Sequence, residues 1–217
     1  SLDEHIIADS QKIKRLKRET KFVDLQLVCA PCYSEFVKDA QVLPLAIDIS
    51  RIPFCPRVLN GSKIEIMHAP THRGNKGTTF IVAAVDKLIH EGFNVNLTIV
   101  ENISHDKLQD RYKECDLFID QVLSGWYGTA SIEAMAVGRP TVCFLREEYF
   151  QYIDYGHKIP IINASPESLC DVLRAIIDDP LRLKNLGIQS RQFVEEVHDV
   201  KVLTKKLVGL YASLHSD

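Results

Sequence analysis

From residue 63 onward, short apolar runs and longer amphipathic stretches take turns along the chain. KIEIMH at 63–68 alternates weakly between Gly61-Ser62 and Pro70, which predicts a strand. Residues 69–77 form a loop by composition. Residues 78–90 follow as a helix, with Ile81, Val85, Leu88 and Ile89 on one side and Gly92 as its stop. The alternation continues with a strand at 94–100, a helix at 104–113 capped by Ser104, and a strand at 116–120. Gly128 opens the next helix, which Gly138 and Pro140 end after Val137, and the run to Leu145 is again strand-like. A short buried edge strand is predicted at 158–163 despite Pro160. Ser165-Pro166 then starts a helix through Ile177, and Asp179-Pro180 repeats the signal for helical material reaching about His215.

Strands and helices alternating at this spacing predict an α/β fold, a Rossmann-like parallel sheet flanked by helices. Residues 1–48 look different. A basic helical stretch at 12–21 precedes a strand at 23–28, a helix begun by Pro31 and a short strand at 41–43. The proline-rich residues 45–56 read as an irregular connection. The expected division is 1–48 as the tail of an N-terminal domain with its linker, a remnant of a second domain, and 49–217 as the Rossmann-like domain.

Composition narrows the function classes without choosing one. The chain has 217 residues, is 46% hydrophobic and 25% charged, and carries a formal net charge of −3, so nothing suggests a nucleic-acid surface. No run is long and apolar enough to cross a bilayer. The basic stretch at 12–21 reads first as a solvated face and second as attraction to a membrane surface. Scattered cysteines fit a reducing cytoplasm, while Cys29-Ala-Pro-Cys32 after a strand-like run keeps a redox pair open.

Two stretches carry candidate chemistry. In the helix of GWYGTASIEAMAVGRPTVCFL, Glu133 is surrounded in sequence by Ala130, Ile132, Ala134, Met135, Ala136 and Val137. It is either a solvated helix residue or a buried carboxylate that needs a partner. The loop Arg73-Gly74-Asn75-Lys76-Gly77-Thr78 joins two cations and two glycines to a helix start. It is either a solvated basic turn or a phosphate cradle. Both stretches lie at strand-to-helix turns on one edge of the predicted sheet, and together they outline a nucleoside diphosphate. His68 and His72 flank Pro70, so the pair suits a ligand phosphate or sugar contact better than a metal.

KIEIMHAPTHRGNKGT, then GWYGTASIEAMAVGRPTVCF, then a Pro-Ile-Ile-Asn strand, resemble the C-terminal half of the group 1 retaining glycosyltransferases of GT-B architecture. The resemblance covers roughly residues 41–211, and IEAMAVGRP is its most specific part. It implies sugar transfer from a UDP-, GDP- or ADP-linked donor to a glycan or lipid-linked acceptor, as in polysaccharide biosynthesis. The acceptor would be held by an N-terminal domain largely absent from this chain. No cofactor beyond the donor and no metal are implied, and the expected location is cytoplasmic, with the inner face of the membrane as a secondary expectation. Lys76 matches the family's diphosphate lysine. The family's arginine falls at Thr71, leaving Arg73 as its nearest substitute. Glu133 matches the second glutamate of a Glu, seven residues, Glu signature, the one that holds the ribose. The first, which contacts the donor sugar, is replaced by Gly125. Gly128, Thr129 and Ala130 match the helix start that faces the diphosphate, while His68 and Gly77 are further expected contacts. Replacement at Gly125 also opens an alternative, a catalytically degenerate domain with a binding or assembly role.

Overall fold

The computed structural model describes residues 22–56 and 63–214. The basic stretch at 12–21 and the Gly61-Ser62 boundary lie outside the described residues.

A small N-terminal piece comes first, with β1 (Leu27–Val28) and β2 (Gln41–Val42) pairing in parallel around a 3-10 turn at Pro31–Glu35. These strands are shorter than the apolar pattern suggests. The main sheet follows with β3 (Ile64–His68), the single-turn helix α1 (Arg73–Lys76), α2 (Thr78–His90), β4 (Val95–Ile99) and α3 (His105–Tyr112). It continues with β5 (Leu117–Ile119), α4 (Thr129–Val137), β6 (Thr141–Cys143) and β7 (Ile162–Asn163). Helices α5 (Leu169–Ile177), α6 (Pro180–Val197) and α7 (Val200–Leu214) close the chain. The five strands are parallel in the order β4-β3-β5-β6-β7, so the fold is a parallel α/β sheet flanked by helices with a small two-stranded sheet beside it.

The period-two alternation of strands decides which side chains meet which helices. Ile66, Leu117, Ile119 and Val142 join α2 and α5 through Ile81, Val85, Leu88, Leu169 and Leu173. Met67, Phe118 and Cys143 point the other way, onto α4, Tyr112 of α3 and Phe193 and Val194 of α6. Helix α4 is therefore apolar on nearly all sides, with Ser131 through Val137 buried. Ile89 leaves the α2 stripe and is exposed, because a residue four beyond Val85 lies past the buried face that Leu88 completes. Ser104 occupies the cap position of α3 without a side-chain cap bond, and α5 begins at Leu169, after a turn that starts at Ser165.

The N-terminal piece is fastened to this domain. Ile47 bridges Asp199 between α6 and α7, and His198 bonds both the Leu45 carbonyl at 2.7 Å and the Tyr127 hydroxyl at 3.1 Å. A carbonyl only accepts, so Nδ1 carries the proton and Nε2 accepts from tyrosine. Burial holds this imidazole neutral and pushes its pKa down to about 4, against the Leu45 bond.

Candidate nucleotide site

The order of the strands places the crevice. The chain runs from β3 outward to β4 and then returns to the other side of β3 for β5, so the switch point lies between β3 and β5. Just beyond the carboxyl ends of those strands lie the loop leading to α1 and the residues 120–128 leading to α4. With the N-terminal piece they wall a cleft of about 330 Å³, lined by Lys76, His72, Asn75, Gln121, Trp126 and Gly128 on one side and by Cys29, Cys32, Tyr33 and Leu45 on the other.

Beneath its lining sits Asp120, 1% exposed and bonded to the lining residues Lys76 and Gly128. Lys76 Nζ donates to its Oδ1 at 2.6 Å, while Ser131 Oγ at 2.6 Å and the Gly128 N–H at 3.2 Å donate to Oδ2. Burial disfavours the carboxylate, yet these donors hold it below the usual carboxylate range. The lysine retains 14% exposure of its side chain and lines the cleft.

Lys76 and Gly128 are thus brought together, with Thr129 exposed and Ala130 half-buried on the first turn of α4. Arg73 turns away and forks onto Glu101 beyond β4, with contacts of 2.9 and 2.5 Å. Two residues expected at the ligand lie beneath it instead. His68 is fully buried, its Nδ1 donating to the Ile119 carbonyl at 2.8 Å and its Nε2 accepting from the Thr78 hydroxyl at 2.9 Å, so neither ring nitrogen is left for a ligand. Gly77 is a hinge between α1 and α2 with φ +75°, and an added Cβ would come within 2.5 Å of Val122 Cγ2.

Glu133 is buried, and its partners are in the chain itself. His105 Nε2 meets Oε1 at 2.6 Å, and the Tyr112 hydroxyl lies 3.4 Å from Oε2. The bond to Glu133 and its charge raise the His105 pKa. A second cleft of about 420 Å³ opens at the carboxyl end of β4, lined by Ile99, Val100, Glu101, Ile103, Lys107, Asp110 and Arg111. Gly125 has φ +77°, and a Cβ there would fall 2.8 Å from Arg146 Cγ. A glutamate at that position would carry the strain of a left-handed backbone, while the Arg146 side chain is flexible enough to shift.

Asp120 and Ser131, which hold Lys76 and the start of α4 together, are not among the residues expected from the sequence. The signal for Asp120 is a carboxylate closing an apolar run eight residues before a helix-opening glycine, since a charge in such a run needs a partner.

No protein-family model and no curated protein matches this sequence. Solved structures do match its fold. Sucrose-phosphate synthase from Thermosynechococcus elongatus aligns with a TM-score of 0.69 at 18% identity, covering 95% of this chain and 62% of that one. HepE from Anabaena in complex with UDP-glucose aligns at 0.67 and 13%, covering 93% and 68%. The C-terminal domain of LpcC, a glycosyl transferase group 1 family protein from Francisella tularensis, aligns at 0.52 and 11%, covering 71% of this chain and all of that domain. The chain has the fold of the group 1 glycosyltransferases. Within that glycosyltransferase fold it spans less than two thirds of the sucrose-phosphate synthase chain, and the LpcC domain is matched over its full length. Among the described residues no helix is long and apolar enough to cross a membrane.

Proposed function

We propose that this chain supplies the donor-binding half of a retaining glycosyltransferase, which moves a sugar from a nucleotide donor to a glycan or lipid-linked acceptor. The observation that carries the reading is the meeting of the Lys76 ammonium with the N-terminus of α4 at the sheet's switch point, on the wall of a cleft. The diphosphate lies against Lys76 and the first turn of α4, where an ammonium and backbone N–H groups stabilise the charge of the leaving group. Glu133 takes the ribose in exchange for His105, and the base occupies the second cleft beyond β4. UDP is the first nucleotide to test, since HepE was solved with UDP-glucose and with UDP.

Calorimetric titration of this chain with UDP, GDP and ADP tests the reading. Binding of one of them is expected, weakened by about tenfold to a hundredfold in Lys76→Ala, the worth of a charge-assisted hydrogen bond. Glu133→Ala weakens it as well. Absence of binding to all three defeats the proposal.

A second reading, donor binding without turnover, draws on Gly125, which stands where the family has its first glutamate and whose left-handed backbone suits glycine. Turnover of any sugar nucleotide by the protein would dismiss it.

A further inference from the structure

Lys76 and Gly128, which line the cleft, and the buried Ser131 converge on one carboxylate that does not reach the cleft. Asp120 is 1% exposed, whereas Lys76, Gln121 and Gly128 beside it line the cavity. Asp120 Oδ1 takes one of the three ammonium N–H bonds of Lys76, at 2.6 Å, and leaves two for a ligand. Its Oδ2 is fixed in turn by the Ser131 hydroxyl and the Gly128 N–H, both on or next to the first turn of α4. One side chain thus joins the lysine from the α1 turn to the start of α4 across the switch point.

We propose that Asp120 is the positioning residue of this site, aiming the Lys76 ammonium into the cleft and tying it to the N-terminus of α4, with Ser131 holding Asp120 in turn. The inference rests on the nucleotide-binding reading for its consequence and on the structure alone for its geometry. A free lysine side chain samples many rotamers, and a ligand that has to order it loses affinity. A lysine held by a buried acceptor is ordered beforehand. Asp120 bears on the ligand through Lys76, so the two residues act as a unit.

The first test needs no ligand. Lysine acylation of the folded chain by an N-hydroxysuccinimide ester is followed by peptide mapping. Lys76 should react several-fold faster in Asp120→Asn than in the wild type, while Lys113 and Lys158 keep their rates. An unchanged Lys76 rate overturns the proposal, whatever the nucleotide result. The second test is a cycle of UDP titrations. Asp120→Asn should weaken binding about tenfold in the wild-type background and not at all in Lys76→Ala, because its effect passes through the lysine. An equal loss in both backgrounds marks a general structural role, and tighter binding by Asp120→Asn marks a competing internal anion; either overturns the proposal. Wild-type chain that binds no nucleotide sinks the functional reading and leaves the acylation result to decide the positioning role. Where Asp120→Asn does not fold, Ser131→Ala removes one bond to Oδ2 and should raise the Lys76 acylation rate in the same direction.

Discussion

Gly77→Ala separates a glycine required by packing from one that merely faces a ligand. Gly77 stands at φ +75° and ψ 32°, ending α1 and starting α2, and its missing Cβ would lie 2.5 Å from Val122 Cγ2 and 3.2 Å from Leu123 Cγ. Gly92 is the internal control, with φ +94° and nothing within 4 Å of an added Cβ. Alanine at either position costs about 1–2 kcal/mol for the left-handed backbone. It also gains about 0.4–1 kcal/mol from a stiffer unfolded chain, and that gain is common to both. Only Gly77→Ala adds overpacking, about 1–3 kcal/mol, because Val122 is fully buried and has nowhere to retreat. With an m-value of about 2 kcal/mol per molar urea, that extra cost places its unfolding midpoint about 0.5–1.5 M below that of Gly92→Ala. Urea denaturation followed by far-UV circular dichroism measures both midpoints. Coincident midpoints at equal slopes would refute the packing argument and return Gly77 to the list of pure ligand contacts.

The remaining predictions concern charge and access. Lys76→Ala leaves the Asp120 carboxylate buried without its cation and should cost about 3–5 kcal/mol in urea denaturation, whereas Lys76→Ala/Asp120→Asn should recover part of it; a double variant less stable than Lys76→Ala contradicts the pairing. His198 is protonated in the unfolded chain below about 6.5 but in the fold only near 4, so the unfolded state binds more protons in that window and stability falls as pH drops through it. The loss is on the order of 3 kcal/mol from this residue, and denaturation at several pH values should show a slope that His198→Gln reduces. Because Cys29 and Cys32 share the cleft wall with Lys76, a bulky maleimide on either thiol should abolish nucleotide binding, and bound nucleotide should slow the labelling; unimpeded binding by the labelled protein places the ligand elsewhere.

The sheet was legible because its signals are local. Ile66 and Met67, or Leu117, Phe118 and Ile119, alternate between two faces, and Gly138, at φ +92°, ends α4 where the pattern puts its stop. The pairing of side chains at the switch point was much less so. Lys76 and Asp120 are 44 residues apart, Glu133 and His105 28 apart, and no periodicity links them. Such partners depend on strand order, which places β5 rather than β4 beside the α1 turn on that side of β3. His68 shows the opposite failure. A histidine at the end of a strand reads as a site residue, but burial and the facing Thr78 and Ile119 make it part of the frame.

That frame gives each charged residue expected at the nucleotide an opposite partner within the chain: Lys76 with Asp120, Arg73 with Glu101, and Glu133 with His105. Binding at such a site is an exchange, so affinity follows the difference between new and old partners rather than the sum of new contacts. The three exchanges are not equivalent. Arg73 is 60% exposed and Glu101 26%, so their parting returns charge to water at little cost, whereas His105, 61% exposed, would leave behind a Glu133 carboxylate only 7% exposed that the ribose hydroxyls would have to satisfy. Asp120 is buried, so Lys76 cannot leave it without stranding a carboxylate in the core. On the proposed reading, a nucleoside diphosphate would add its phosphates to the Lys76 and Asp120 pair while its ribose displaces His105 from Glu133, which would make Lys76 the fixed point of the site and Arg73 and Glu133 its adjustable edges.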